Sequence, residues 1–292
     1  MKALLMATGD IAIPSFQALL DSDHEVLGLV TQPDKPVGRK QVMTPPQIKV
    51  VAEKEGIEVF QPIKAGDPDF IDLVDSLRPE VIVVIAYGQI LKQELIDIPS
   101  VAIINLHASL LPKYRGAACI QAAIDAGDAE SGMTVMHVVK ALDAGDIILQ
   151  KSLPITVETT GGSLHDQLAA QGPEVLLEAI EQLDNGSAQR IPQDEGKVSY
   201  ISKLMRGHGE IDWAQPTEAI ERRIRAYDPW PGTFTTYQDS KGKPKRLKLF
   251  PFAKLDFTQF DEVAGTIVEQ EGRFSVVTGD GCLLYTSDAA DD

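Results

Sequence analysis

The sequence predicts a doubly wound α/β domain, built on a parallel sheet, followed by a small β-barrel domain. Over the first hundred residues, short runs rich in Val, Ile and Leu alternate with segments of helical apolar spacing, a pattern typical of β-α-β units. The run Val81–Ile85 is apolar at every position, as expected of a strand whose two faces are both covered by helices. From residue 211 onward, short strand-like runs separated by Gly, Pro and Asp turns predict the barrel instead.

The elements of the first domain are predicted as follows. Strands are expected at residues 2–7, 26–31, 57–61, 81–86, 102–106, 133–139 and 147–154. Helices are expected at residues 13–20, 46–55, 68–77, 118–126 and 164–183. Pro near the front of each of the first three helices suits a first helical turn. The segment 109–116 is then a loop, and 141–146 is a turn between the last two strands.

The domain boundaries are predicted from composition. The run 185–197 is polar and contains Gly186, Pro192 and Gly196, which makes it the best linker in the chain. We therefore expect a first domain at residues 1–188, a linker at 189–206 and the barrel at 207–281. The barrel strands are expected at residues 233–237, 246–250, 265–269 and 274–278.

The last eleven residues, 282–292, resemble the translation of a sequencing adapter. They are therefore expected to be a non-native tail, which would leave the barrel truncated after Gly281. The alternative is a genuine polar tail encoded by the gene.

Charge is distributed unevenly along the 292 residues. The formal net charge is -16, which by itself disfavours a nucleic-acid partner, because phosphate contacts need Lys and Arg. Residues 1–200 hold 15 basic and 28 acidic residues, whereas residues 201–281 hold 12 of each. The acidity thus belongs to the first domain, and the second domain is free to contact phosphates.

Cysteine content and hydropathy predict the cellular setting. The 2 Cys, at positions 119 and 282, form neither a disulfide framework nor a zinc ligand set. No apolar run reaches the roughly 20 residues that span a bilayer. We expect a cytoplasmic protein without a membrane partner.

The first candidate site lies at the end of the strand predicted at 102–106. Asn105 and His107 are two positions apart, so on a strand their side chains project to one face and can converge on one reacting atom. An amide donor beside a His that titrates near neutrality suits a reaction that develops an oxyanion while a proton moves. The alternative is that Asn105 only forms a turn and His107 is structural.

The turn at 141–146 offers a third partner. A carboxylate near His107 would stabilise a proton on the imidazole and hold water in place. Asp143 and Asp146 both qualify, although Asp is also common in turns for conformational reasons, and spacing does not choose between them. No metal-ligand spacing, no Gly-x-Gly-x-x-Gly fingerprint and no Gly-x-Ser-x-Gly elbow around Ser109 is present.

Longer motifs surround these residues. They are Asn-Leu-His-Ala-Ser-Leu-Leu-Pro at 105–112, Tyr-Arg-Gly-Ala-Ala at 114–118, Leu-Asp-Ala-Gly-Asp at 142–146, Gln-Pro-Asp-Lys-Pro-Val-Gly-Arg at 32–39, Ala-Tyr-Gly-Gln-Ile-Leu at 86–91 and Asp-Pro-Trp-Pro-Gly-Thr-Phe at 228–234. With these motifs, nearly all of residues 1–281 resembles the formyl-tetrahydrofolate-dependent formyltransferases. The motifs at 32–39 and 228–234 resemble, more narrowly, the branch that formylates methionyl initiator tRNA.

The resemblance implies a Rossmann-like formyltransferase domain and an OB-like barrel, acting as a cytoplasmic monomer. It implies 10-formyltetrahydrofolate as cosubstrate, methionyl initiator tRNA as partner, and no metal. It places Asn105, His107 and Asp143 at the family's catalytic positions, and so favours Asp143 over Asp146. Folate contacts are expected at Tyr87, Gly88, Gln89, Ile90, Leu91, Ser109, Leu110, Leu111, Pro112, Val139 and Asp143. Contacts to tRNA are expected at Arg39, Lys40, Lys241, Lys243, Lys245, Arg246 and Lys248.

Several alternatives stay open. The five positive charges of the run 241–248, which we call the basic run, also suit a solvated hairpin. Rival functions are another formyltransferase of the same superfamily, with a glycinamide ribonucleotide or an amino sugar nucleotide as acceptor, and a non-catalytic tRNA-binding protein. Cys119 stands where the family usually has Pro, and we expect it to be a small packed residue.

Overall fold

The structure is a computed structural model that describes residues 1–251, 253–270 and 273–285. Its strands are β1 (Lys2–Ala7), β2 (Glu25–Val30), β3 (Lys35–Val37), β4 (Val42–Thr44), β5 (Val59–Phe60), β6 (Val81–Ile85), β7 (Ala102–His107), β8 (Arg115–Gly116), β9 (Glu130–His137), β10 (Ile147–Pro154), β11 (Tyr200–Ile201), β12 (Thr233–Gln238), β13 (Pro244–Leu249), β14 (Lys254–Asp256), β15 (Ile267–Gln270), β16 (Arg273–Val277) and β17 (Cys282–Tyr285). Its α-helices are α1 (Ile13–Leu20), α2 (Gln47–Lys54), α3 (Pro68–Leu77), α4 (Gln93–Ile96), α5 (Cys119–Ala126), α6 (Gly161–Asp184) and α7 (Thr217–Ala226).

The chain divides into two compact units, each assembled from separate stretches of sequence. The first unit contains residues 1–116, 132–153 and 165–200. The second contains residues 117–131 and 154–164 and, of the residues that the structure describes, those from 201 onward. The segment 189–200, which composition marks as linker, is therefore grouped with the first unit. The boundaries at 188 and 206 stay a prediction.

A seven-stranded sheet forms the centre of the first unit, in the order β10-β9-β7-β6-β1-β2-β5. β1 runs parallel to β2 and β6, β6 runs parallel to β7, and β2 runs parallel to β5. β9 is antiparallel to β7, so the sheet is parallel through its centre and mixed at one side. The strand order reverses between β1 and β6, and in such sheets ligands bind beyond the carboxyl ends of the strands at that point.

The strands of the first unit are continuous apolar runs in the sequence because their side chains are buried in its core. Leu4, Met6, Val30 and Ile82 are fully buried in one cluster with the apolar side chains of α3. Full burial of one such side chain contributes about 1.5 to 3 kcal/mol. The sheet is thereby a rigid support for the loops at its carboxyl edge.

The second unit combines α5 and α7 with antiparallel strands. β12 pairs with β13, and a four-stranded sheet has the order β14-β17-β16-β15. α5 packs against α7, where Arg223 and Asp125 form an ion pair of 3.0 Å. Cys119, at the start of α5, is buried, in agreement with the expected packing role.

β17 falls on the segment for which the sequence predicts a foreign tail. Cys282 and Leu283 are fully buried, and β17 pairs with both β14 and β16. Leu283 joins Ile211, Ile220 and Leu249 in the core of the second unit. The foreign origin of the tail stays a prediction, and its remainder, residues 286–292, lies outside the described residues.

The helices are too short or too polar for membrane crossing. Within the part of the chain that the structure describes, none of them is both long enough and apolar enough to span a bilayer.

Candidate active site

Three polar side chains meet at the carboxyl end of β7. Asn105 and His107 project from this strand towards Asp143, which lies in the turn between β9 and β10. The Asn105 amide nitrogen Nδ2 is 3.5 Å from Asp143 Oδ1, and His107 Nδ1 is 3.9 Å from Asp143 Oδ2. The two oxygens of one carboxylate thus each face one of the other two side chains.

The turn that carries Asp143 is held in an unusual backbone conformation. Asp143 has φ of 48°, a region in which Asp is tolerated better than most residues. The Gly116 N–H donates a 2.8 Å hydrogen bond to Asp143 Oδ2, which fixes the carboxylate. At Gly145, an added Cβ would collide with the carbonyl oxygen of His137, so only glycine fits here.

Asp146, the other carboxylate of this turn, has different contacts. Its main-chain oxygen accepts from the His137 N–H at 2.9 Å, and its side chain lies 3.8 Å from Arg190. The structure therefore brings Asp143, and not Asp146, towards Asn105 and His107.

The tautomer of His107 is determined by its neighbour. His107 Nε2 lies 3.0 Å from the main-chain oxygen of Tyr114. Because a carbonyl oxygen can only accept, Nε2 carries a proton and donates. Nδ1 is then the ring atom that faces Asp143.

The segment 87–91, predicted to contact folate, follows β6 at the carboxyl edge of the sheet. Thr8 Oγ1 and Gln32 Nε2 each donate a 3.1 Å hydrogen bond to the Tyr87 main-chain oxygen. The Tyr87 side chain is turned into the core, where burial raises its pKa to about 12 and its hydroxyl has no hydrogen-bond partner among the described residues. Gln89 accepts from the Ala65 N–H at 2.7 Å, and Ile90 is 90% exposed. Within the segment 87–91, Gly88 and Ile90 are exposed.

The other predicted folate contacts are divided between buried and exposed residues. Ser109 is fully buried and donates to the Lys113 main-chain oxygen at 2.7 Å, and Leu111 packs with Met136 and Ile147. Val139 is exposed. Leu110 and Pro112 are partly exposed.

Two predicted tRNA contacts lie on a hairpin that the sequence did not predict. β3 and β4 form this hairpin, and Arg39 and Lys40 are exposed in its turn. Asp34, at its base, binds Lys49 at 3.0 Å and Gln61 at 2.8 Å. These two hydrogen bonds lower the pKa of Asp34.

The basic run lies on a second hairpin. Lys241 and Lys243 are in the turn between β12 and β13, and Lys245, Arg246 and Lys248 are exposed on β13. The Arg246 guanidinium is stacked 4.1 Å from the centre of the Phe234 ring. Along β13, Lys245 points to the face opposite Arg246 and Lys248, because side chains alternate on a strand.

The described residues contain no group of side chains suited to a metal ion. Among residues 1–251, 253–270 and 273–285, no three His, Cys, Asp or Glu side chains are arranged to hold one.

Comparisons with known proteins cover nearly all of the chain. A family model described as formyl transferase matches residues 1–180, and one described as formyl transferase, C-terminal domain, matches residues 203–287. A methionyl-tRNA formyltransferase of Akkermansia muciniphila is 50% identical over 290 residues, which are 98% of this chain and 91% of that one. The chain belongs to the formyl transferase family. A methionyl-tRNA formyltransferase of Symbiobacterium thermophilum is 43% identical over 97% of this chain and 86% of its own.

Solved structures of formyl transferases share the fold. An N-formyltransferase from Helicobacter canadensis, in complex with folinic acid and dTDP-3-aminofucose, has a TM-score of 0.69 at 20% identity and covers 97% of both chains. A sugar 3N-formyl transferase, WlaRD, has a TM-score of 0.67 at 20% identity and covers 97% of this chain and 96% of its own. At this identity the likeness concerns the fold alone.

Two residues that are connected to the Asp143 turn of this formyl transferase, Gln193 directly and Arg115 through Gln193, were not predicted from the sequence. Arg115 is only 1% exposed, although the sequence predicts an ordinary loop at 109–116. Gln193 lies in the segment predicted as linker, and its side chain donates to the main chain of the Asp143 turn. The Tyr-Arg-Gly motif was a signal for Arg115, whereas nothing local in the sequence singles out Gln193.

Proposed function

We propose that this chain transfers the formyl group of 10-formyltetrahydrofolate to the α-amino group of methionyl initiator tRNA. The observation that carries the proposal is the convergence of Asn105, His107 and Asp143 at the end of β7. It occurs in a chain that is 50% identical to a methionyl-tRNA formyltransferase.

In the proposed reaction the amine attacks the formyl carbon directly. A C–N bond forms to the methionyl nitrogen, a tetrahedral oxyanion develops, and the bond to N10 of the folate then breaks. The methionyl nitrogen loses a proton and N10 gains one. Because the amine attacks the formyl carbon directly, no covalent bond to the enzyme is required.

Each of the three side chains has a role that its geometry supports. The Asn105 amide donates to the oxyanion, the kind of interaction that typically contributes roughly 3 to 4 kcal/mol of transition-state stabilisation. His107 Nε2 already donates to the Tyr114 carbonyl. When the imidazole is protonated, Nδ1 becomes a second donor, and this atom faces Asp143. The Asp143 carboxylate orients this imidazolium by charge and passes the proton through water.

Folate binding is proposed at the carboxyl edge of the sheet. The Tyr87 carbonyl already accepts from Thr8 and Gln32, so the start of the segment 87–91 is held in place before a ligand binds. The exposed apolar side chains of Ile90, Val139 and Leu142 suit a flat ring system. The Helicobacter canadensis relative of the same fold was solved with folinic acid.

Binding of tRNA is proposed at the two hairpins. Arg39 and Lys40 extend from the β3–β4 turn, whose base is held by Asp34, Lys49 and Gln61. The basic run supplies further positive charge for the phosphates of the tRNA. We propose that the reaction takes place in the cytoplasm, as part of translation initiation, and that the chain acts as a monomer.

Replacing all five basic residues of the basic run with Ala tests its role. We expect weaker tRNA binding. The slope of the log binding constant against log salt concentration should become shallower by up to about 0.9 for each phosphate that is no longer neutralised. Folate binding should not change. The measurement is tRNA affinity by filter binding over a salt series, and Lys54→Ala with Lys64→Ala, two exposed residues outside the run, is the control. An unchanged salt slope in the variant with all five replacements would show that the basic run is a solvated hairpin.

The choice of acceptor is tested by competition. The purified chain receives 10-formyltetrahydrofolate with methionyl initiator tRNA, glycinamide ribonucleotide and an amino sugar nucleotide together. We expect the formyl group on the methionyl amine and neither of the small acceptors formylated. Preferential formylation of either small acceptor would refute the proposed substrate.

A further inference from the structure

The strand β8 and the residue before it contact two of the three proposed catalytic residues. The Tyr114 carbonyl accepts from His107 Nε2 at 3.0 Å, and the Gly116 N–H donates to Asp143 Oδ2 at 2.8 Å. Arg115 lies between them in sequence. Its main-chain N–H donates to the Ser199 carbonyl at 2.8 Å, which attaches this strand to the segment predicted as linker.

The Arg115 side chain makes its hydrogen bonds within the same segment. Nε and Nη2 donate to Gln193 Oε1 at 3.0 and 2.9 Å. Nη2 also donates to Glu195 Oε1 at 2.8 Å, and Nη1 donates to the Tyr200 hydroxyl at 3.1 Å. A guanidinium has only donors, so the amide oxygen of Gln193 is obliged to face Arg115.

The other end of the Gln193 amide faces the Asp143 turn. With its oxygen towards Arg115, Nε2 donates to the main-chain oxygens of Asp143 at 2.8 Å and Gly145 at 2.9 Å. Both protons of the amide thus form hydrogen bonds with the main chain of this turn, in which Asp143 has φ of 48°. Arg115 sets the orientation of Gln193, and Gln193 holds the main chain from which the Asp143 carboxylate projects.

We propose that Arg115 and Gln193 are positioning residues for formyl transfer, acting through the Asp143 turn. The inference rests on the proposed function, because it assigns Asp143 a role in the reaction. A displacement of about 1 Å in a reacting group lowers a rate by roughly a hundredfold. Gln193 is then part of the active-site support, although composition marks its segment as a linker.

Two neighbours of Arg115 provide matched controls. Glu195 and Tyr200 contact the same guanidinium, and no hydrogen bond in the described part of the chain joins either side chain to the Asp143 turn. Glu195 is also largely exposed. A purely structural role for Arg115 would make removal of these two side chains as harmful as a change at Gln193.

The test replaces Gln193 with Glu, which has almost the same shape. The new carboxylate still accepts from Arg115, but it faces the carbonyls of Asp143 and Gly145 with an acceptor in place of the two N–H groups. We expect kcat for formyl transfer to fall by about tenfold to a hundredfold. The KM for methionyl-tRNA should stay within about twofold, since the proposed tRNA contacts are untouched. Glu195→Ala should keep kcat within about twofold of the wild type.

Two outcomes would overturn the proposal. One is wild-type kcat in Gln193→Glu, and the other is an equal reduction of kcat in Glu195→Ala. A crystal structure of Gln193→Glu gives a readout that does not depend on the reaction, and we expect the hydrogen bond from Gly116 to Asp143 to be broken in it. An intact bond would refute the positioning role. If the wild-type protein itself showed no formyl transfer, the proposed function would be refuted instead.

Discussion

Replacing Asn105 or Asp143 with Ala lowers formyl transfer by roughly a hundredfold to a thousandfold, because each change removes a group aimed at the reacting atoms. Asn105→Ala removes the neutral donor that faces Asp143 Oδ1 at 3.5 Å. Asp143→Ala removes the charge that faces His107 Nδ1 at 3.9 Å. Both side chains are at the carboxyl edge of the sheet, outside the apolar cluster, so the fold should survive.

The measurement is kcat with methionyl initiator tRNA, accompanied by thermal unfolding of each variant. Asp146→Ala is the matched control, since Asp146 belongs to the same turn but contacts Arg190. It should retain turnover within about threefold, as expected of a weak surface ion pair. Near-normal turnover in both Asn105→Ala and Asp143→Ala would refute the assignment of the site.

Replacing Gly145 with Ala should destabilise the first unit and abolish most activity. The new Cβ would overlap the His137 carbonyl oxygen and lie 2.7 Å from the carbonyl carbon, so the main chain of the turn or of β9 has to move. A backbone clash of this kind costs about 3 kcal/mol or more in the free energy of unfolding. The movement also shifts Asp143, two residues away, relative to His107.

Urea unfolding followed by circular dichroism measures this cost. Gly207→Ala is the control, since nothing lies within 4 Å of a Cβ at that position and its φ is not positive. It should change the free energy of unfolding by about 0.5 kcal/mol or less. A Gly145→Ala variant as stable and active as the wild type would contradict the close approach of this turn to β9.

The sheet of the first unit was largely predictable, because each of its strands is a local apolar run. Parallel pairing of β1, β2, β6 and β7 follows from the helices between them. The antiparallel pairing of β9 with β7 was not predictable, because α5 lies between them in sequence and a connecting helix is typical of parallel pairing.

Elements with few apolar residues were missed. α7 contains Ile220 and Ile224 among five charged side chains, and its apolar stripe is too narrow to stand out from the turns around it. β3 and β4 are three residues each and contain exposed side chains only, so the hairpin that carries Arg39 had the composition of a loop.

The candidate site was predictable in part. Alternation along β7 placed Asn105 and His107 on one face, but the choice of Asp143 over Asp146 came from resemblance and not from spacing. Gln193 follows Asp143 by 50 residues, and its amide is oriented by Arg115, which is only 1% exposed. Only the tertiary structure shows such a contact, because no periodicity in the sequence relates the two residues that it joins.

We propose that Asn105, His107 and Asp143 of this chain together perform formyl transfer to methionyl initiator tRNA. The single-turnover rate of labelled formyl transfer, measured for the wild type and Asn105→Ala side by side with enzyme in excess, tests it most directly. We expect complete transfer to the methionyl amine by the wild type and a rate lower by roughly a hundredfold or more in the variant. Equal rates for the two proteins, or no labelled formylmethionyl-tRNA from the wild type, would contradict the claim.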